Sequence, residues 1–154
     1  MSTTTNFNAV AQSNQTENNP TFYANLTSEA LPFSVSNAEG TGNVSLSLKD
    51  GANTMYYVIS GNDVGNITAT TIAQNTGGRS TDLVLLSYAP ASGLITKGSG
   101  TAEGDFTSAD FSNVLQGQEM SELVKRILDG NVYLVIKTVD FPLGEIGGKL
   151  QPIQ

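Results

Sequence analysis

Asn43-Val44-Ser45-Leu46-Ser47-Leu48, a turn at Asp50-Gly51-Ala52-Asn53, and then Thr54-Met55-Tyr56-Tyr57-Val58-Ile59: this stretch decides the fold. In the first run Val44, Leu46 and Leu48 alternate with small polar residues without a break, which in an extended chain places all three on one face. The Asp-Gly turn sends the chain back, so the unit reads as a β-hairpin with one side to bury. The same period of two extends in both directions. Upstream lies Phe22-Tyr23-Ala24-Asn25-Leu26-Thr27, and downstream lie Asn66 to Ala73, Asp82 to Tyr88 and Leu94 to Phe106, the last interrupted by Gly98-Ser99-Gly100 as at a bulge or a close backbone approach. Val132-Tyr133-Leu134-Val135-Ile136 is an unbroken apolar run and reads as a central strand buried on both faces, and Glu145 to Gln151 closes the chain.

Between the strands the period changes. Thr107-Ser108-Ala109-Asp110 offers a hydroxyl cap ahead of Phe111, Val114 and Leu115 at helical spacing. Ser121 to Gly130 pairs Leu123 with Ile127 and Val124 with Leu128, and Gly130 is placed for a left-handed stop. The fold expected is all-β: a Greek-key-like antiparallel β-sandwich of about eight strands with a short helical insert.

Composition agrees and narrows the chemistry. The 154 residues include no Cys, His or Trp. A Ser-His-Asp triad, a thiol nucleophile, a Cys/His zinc site and a disulfide framework are therefore excluded, leaving carboxylates, hydroxyls, amides and a few cations. The length suits a single domain able to bury a core without metal or disulfide staples. Thr, Ser, Asn and Gly supply 62 residues and charged residues only 14%, against roughly 25% in an ordinary soluble domain; such a surface suits pleated strands and an extracellular or cell-surface setting. The net charge is -7 and the only adjacent cations are Lys125-Arg126, so no basic stripe is present to neutralise phosphates, and nucleic acid is not an expected partner. No apolar run approaches the roughly 18 residues that span a bilayer, so membrane insertion is not expected. Met1-Ser2-Thr3-Thr4-Thr5 lacks the basic and apolar regions of a signal peptide, which leaves a cytoplasmic protein or a mature form whose leader was removed.

Residues 1–20 form a polar segment with too few large apolar side chains to repay its own ordering. Within it Thr5, Phe7, Ala9 and Ala11 recur at period two with Asn6 and Asn8 opposite, so this segment is a candidate donated strand, and those four residues are candidate assembly residues. The remainder, 21–154, is the sandwich domain.

The ordered set of motifs carries a resemblance. Phe22-Tyr23-Ala24-Asn25-Leu26-Thr27 with Pro32 behind it, Gly40-Thr41-Gly42, Asp50-Gly51, Ile67-Thr68-Ala69, Leu128-Asp129-Gly130-Asn131-Val132-Tyr133 and Pro142-Leu143-Gly144-Glu145-Ile146-Gly147-Gly148 follow in the order of the CHRD, or chordin, domain. Over roughly residues 22 to 151 the chain resembles that family, widespread in secreted bacterial and archaeal proteins. The resemblance implies a His-x-His pair where Thr71 and Ala73 stand, a further His at Lys137 and an Arg at Gly147; this chain is a divergent member without the histidines. Three imidazoles on adjacent strands would suit copper or zinc, so whatever they serve in the family is not done here by the same chemistry.

The carboxylates Asp105 with Asp110, Glu119 with Glu122 and Asp140 with Glu145 are near neighbours in sequence, as a glycosidase pair requires, but no Trp is present to stack a sugar. They read as solvated loop charge, except Glu145, which follows a Pro-x-Gly turn and reads with Lys137 as a structural clamp, accepting backbone or Lys137 hydrogen bonds. Asp50-Gly51-Ala52-Asn53 and Gly61-Asn62-Asp63 offer oxygens to calcium but read as turns, and Gly77-Gly78-Arg79-Ser80 reads as a loop. Four sequons, at Asn14, Asn25, Asn43 and Asn66, permit glycosylation without establishing it. No catalytic residue, metal or cofactor is expected. The expected function is a secreted, non-enzymatic structural or adhesion module that forms a homo-oligomer or polymer through its N-terminal segment. The alternatives are a monomeric module binding an extracellular protein or glycan and, less favoured, a metal-dependent oxidoreductase descended from the family's histidine site.

Overall fold

A computed structural model describes residues 21–34, 36–49, 51–88 and 98–153. Its strands are β1 (Thr21–Leu26), β2 (Thr41–Lys49), β3 (Thr54–Val64), β4 (Ile67–Thr76), β5 (Arg79–Tyr88), β6 (Gly98–Thr107), β7 (Val132–Thr138), β8 (Ile146–Lys149) and β9 (Gln151–Pro152), with one α-helix, α1 (Met120–Asp129). They form an antiparallel five-stranded sheet in the order β6-β3-β2-β1-β9, stacked on a four-stranded sheet in the order β5-β4-β7-β8. The architecture is the β-sandwich read from the sequence; its ninth strand, β9, is the two-residue end of the chain after it leaves the smaller sheet.

Alternation sorts the side chains as expected. Val44, Leu46 and Leu48 of β2 and Met55, Tyr57 and Ile59 of β3 face inward, and with Phe22, Leu26, Ile72, Leu134, Ile136 and Ile146 they fill the space between the sheets. β4 and β5 are joined at Gly77 and Gly78, with φ of 60° and 84°, the left-handed pair that a two-residue hairpin of the right twist demands. Opposite β4, β5 carries register shifts between Ile72 and Ala73 and between Thr70 and Thr71. The first lets the consecutive residues Leu83 and Val84 both enter the core.

Three local features differ from the sequence reading. The expected helix over Phe111 to Leu115 is two 3-10 turns, Ser108–Asp110 and Asn113–Leu115. Thr107 and Asp110 close a capping box, but Phe111 is then drawn into an extended bridge with Val84, and Asn113 adopts a φ of 55°, so no continuous helix can form. β3 runs on to Val64 instead of ending at Ile59, and the irregularity anticipated in β6 lies across from it, between Gly61 and Val64, where Asp63 has a φ of 59°. In α1, Met120, Leu123 and Ile127 are buried whereas Leu128 faces solvent. The helix closes one end of the sandwich, Arg126 donating to Gln74 of β4 at 2.7 Å, and stops at Gly130 with a φ of 93°.

Candidate functional site

The middle of the four-stranded sheet is covered differently on its two faces. Inward, β7 presents Val132, Leu134 and Ile136 to the core. Outward, Val135 and Ala73 pack under Leu31 and Phe33, from the loop after β1, and Phe33 meets Tyr133 edge-on at 5.8 Å. Further along the same outer face the loop no longer covers the sheet, and a cleft of about 390 Å³ opens between Ser80, Thr81, Asp82, Asn113, Lys137 and Leu143.

Cross-strand register dictates what meets there. Lys137 of β7 stands opposite Ala69 of β4, and Asp82 of β5 stands opposite Ala73. Thr71 lies midway between Ala69 and Ala73, so a Lys137-to-Asp82 contact must pass over it. The ammonium lies 3.3 and 3.4 Å from the two Asp82 carboxylate oxygens, forming an ion pair that bridges β5 and β7 across β4. Thr71 beneath is 1% exposed, and its hydroxyl has no hydrogen-bond partner among the described residues. The three positions at which the resemblance implies histidines, 71, 73 and 137, are thus brought onto one face of two adjacent strands. In this chain a neutral ion pair lies over that face.

Glu145 belongs to a separate arrangement. It is 4% exposed and accepts the backbone N–H of Gly65 at 3.1 Å and the Thr138 hydroxyl at 2.9 Å, pinning the β3–β4 turn to the β7–β8 turn. Of the two donors expected for Glu145, backbone or Lys137, it takes the backbone N–H of Gly65 and not Lys137, because neighbouring residues of a strand point to opposite faces: Thr138 turns inward to Glu145, while Lys137 turns outward to Asp82. The partners that the sequence reading does not pick out are therefore Asp82, Gly65 and Thr138, and Thr71 enters it only as a position where the resemblance implies a histidine. Only pairing register joins Asp82 to Lys137, and no local motif signals it.

The exposed face of the five-stranded sheet is polar. Lys49 pairs with Asp105 at 3.2 Å and lies 5.5 Å from the Tyr56 ring centroid, and the Tyr56 hydroxyl donates to Glu103. That hydrogen bond, then burial and the neighbouring carboxylates, raise the Tyr56 pKa above its ordinary value. Among the described residues no three acidic, His or Cys side chains gather as metal ligands.

The sheet edges are unequally protected. On one side Thr27 and Gly147 exchange two backbone hydrogen bonds at 3.0 Å, which joins the end of β1 to β8, while β9 pairs with the start of β1 and carries Pro152. On the other side the edge of β5 is met at Asp82 to Val84 by Phe111, Ser112 and Asn113: Ser112 N–H donates to the Leu83 carbonyl at 2.9 Å and the Asn113 amide to the Asp82 carbonyl at 2.6 Å. Among the described residues β6 pairs with β3 alone along its length. Thr5, Phe7, Ala9 and Ala11, the candidate assembly residues, lie outside the described residues.

A two-sheet antiparallel sandwich, stitched along one side and carrying a self-paired polar cluster on its smaller sheet, defines the class of the protein. The chain belongs to the CHRD domain family, whose model matches residues 22–150. CHRD domains are found in extracellular proteins. Comparison with curated proteins and with solved structures gives no match. No helix among the described residues is long and apolar enough to cross a membrane.

Proposed function

We propose that this chain is an extracellular, non-enzymatic structural module that joins copies of itself through its N-terminal segment. One observation carries the reading: on the face where the family pattern would gather imidazoles, Lys137 and Asp82 satisfy each other across β4. Such a pair holds β5 and β7 together and leaves neither group as an uncompensated acid or base. Shape and backbone edges then remain as the means of interaction, and residues 5–11 have the alternation that strand addition uses. Light scattering and negative-stain microscopy on the full chain, on a chain lacking residues 1–20 and on a full-length F7D variant test this. Concentration-dependent particles from the full chain alone are expected; a monodisperse monomer in all three contradicts the reading.

A second reading is favoured by the 390 Å³ cleft, whose lining of Ser80, Thr81, Asp82, Asn113, Lys137 and Leu143 sets hydroxyls, an ion pair and an amide beside one apolar side chain, a mixture suited to a sugar. A monomeric glycan-binding module would show saturable glycan binding that D82A abolishes and F7D leaves intact.

A further inference from the structure

We infer that the outer edge of β6 is the acceptor for residues 4–11 of a second copy of this chain, paired antiparallel, with Phe7, Ala9 and Ala11 turned inward along Gly100, Ala102 and Gly104. This inference rests on the assembly reading and names the surface that the reading leaves open.

Elimination among the edges leaves β6. β1 and β8 block each other, β9 is a two-residue stub with a proline, and β5 is covered at Asp82 to Val84. β6 offers the longest row of backbone groups with a partner on one side only among the described residues, and an unpaired edge of that kind is a template for another strand.

The inward side of β6 also has the shape to receive a strand. The inward positions of β6 ahead of Phe106 are Gly100, Ala102 and Gly104, all small. At Gly104 the cause is visible: a Cβ would lie 2.8 Å from the Tyr57 hydroxyl, which crosses the gap between the sheets to donate to the Leu86 carbonyl at 3.3 Å. A strand laid beside β6 would meet glycine and alanine on its inward side, where an aromatic partner covers the exposed backbone. Phe7, followed by Ala9 and Ala11, supplies one large and two small side chains at the right spacing.

Charge favours the same pairing. The solvent face of β6 carries Glu103 and Asp105. Two β6 edges brought together would oppose four carboxylates, which disfavours symmetric pairing. Residues 1–16 contain no charged side chain, and Asn6 and Asn8 on the other parity bring amide donors to those carboxylates.

Strand direction and reach favour a second copy as the donor. Every strand pair in the fold is antiparallel. Thr21 begins β1 at the level of Asp105, four strand spacings from an added strand, or about 19 Å. For the chain to pair antiparallel with its own β6, residues 12–20 would have to run obliquely about 25 Å over the side chains of the exposed sheet face, out of a full extension of roughly 33 Å. A parallel fit reaches easily but forms the less stable ladder. A neighbouring molecule has neither constraint.

The chain contains no cysteine, so introduced pairs report contacts without background. Two differently tagged full-length chains, one carrying N8C and the other T101C, E103C or D105C, are mixed and oxidised, with Q151C on β9 and S80C on β5 as alternative acceptors. The expected result is a mixed-tag disulfide dimer from one β6 position, loss of most of it at the β6 positions two residues away, and none at Gln151 or Ser80. Cross-links concentrated on β5 or β9 would overturn the acceptor assignment while leaving self-assembly standing. Closure confined within one chain, seen when N8C and E103C share a molecule and no tags mix, would overturn the second copy as donor. A chain that scatters as a monomer at every concentration and cross-links nowhere removes the assembly reading itself.

Discussion

Replacing Thr71 with valine should make this protein more stable. Thr71 is 1% exposed on β4, between Ala69 and Ala73, and among the described residues its hydroxyl has no partner beneath the Lys137–Asp82 pair. A buried hydroxyl without a hydrogen bond carries a desolvation penalty of about 1–3 kcal/mol. Valine keeps the branched shape that suits a strand and replaces the hydroxyl with a methyl group, whose burial adds about 0.8 kcal/mol. The net expectation is a gain of about 2 kcal/mol. With a urea m-value of about 2 kcal/mol/M, the midpoint moves up by roughly 1 M, and Tm rises by about 5 °C for a chain of this length. Urea unfolding followed by circular dichroism reads the shift at unchanged m, and T71S, which keeps the hydroxyl and loses the methyl, should move the other way. A T71V midpoint below that of the parent would refute the reasoning, because it would mean that the hydroxyl is bonded in solution and contributes to holding the ion pair.

Glu145 should behave in the opposite sense: E145A strands the Gly65 N–H and the Thr138 hydroxyl and should cost about 3 kcal/mol, whereas E145Q keeps a carbonyl acceptor and should cost about 1 kcal/mol, both read as urea midpoints. Equal losses in the two variants would mean that packing, and not acceptance, is what Glu145 provides. Burial, and to a lesser degree Asp105, raise the Tyr57 pKa above 10.0, so above that pH the unfolded chain gives up its phenolic protons first, binds fewer than the folded one, and stability must fall as pH rises. Y57F should flatten part of that alkaline decline and cost about 1 kcal/mol at neutral pH through loss of the Leu86 hydrogen bond; an unchanged alkaline slope contradicts the assignment.

Much of the sandwich is written in local pattern. The β2–β3 hairpin follows from strict alternation around a turn, and β7 from an apolar run that only a central strand can bury. Where the pattern misleads, a partner distant in sequence intervenes. Phe111, Val114 and Leu115 have helical spacing, yet Phe111 pairs with Val84, and that contact belongs to tertiary structure. The polar cluster is still less legible. Lys137 and Asp82 are separated by 55 residues and meet only because β5 and β7 flank the same strand in one register. The unbroken apolar run of β7 hides the face parity that separates Lys137 from Glu145: in the structure Ile136 faces the core, so Thr138 does too and Lys137 cannot.

The most direct test of assembly through a donated strand is hydrogen exchange by mass spectrometry on the unmodified full chain at low and high concentration. The account predicts that slowed exchange appears together, and only at high concentration, in residues 4–11 and in β6. Exchange that is independent of concentration, or protection that rises on β5 or β9 while β6 stays open, would contradict it.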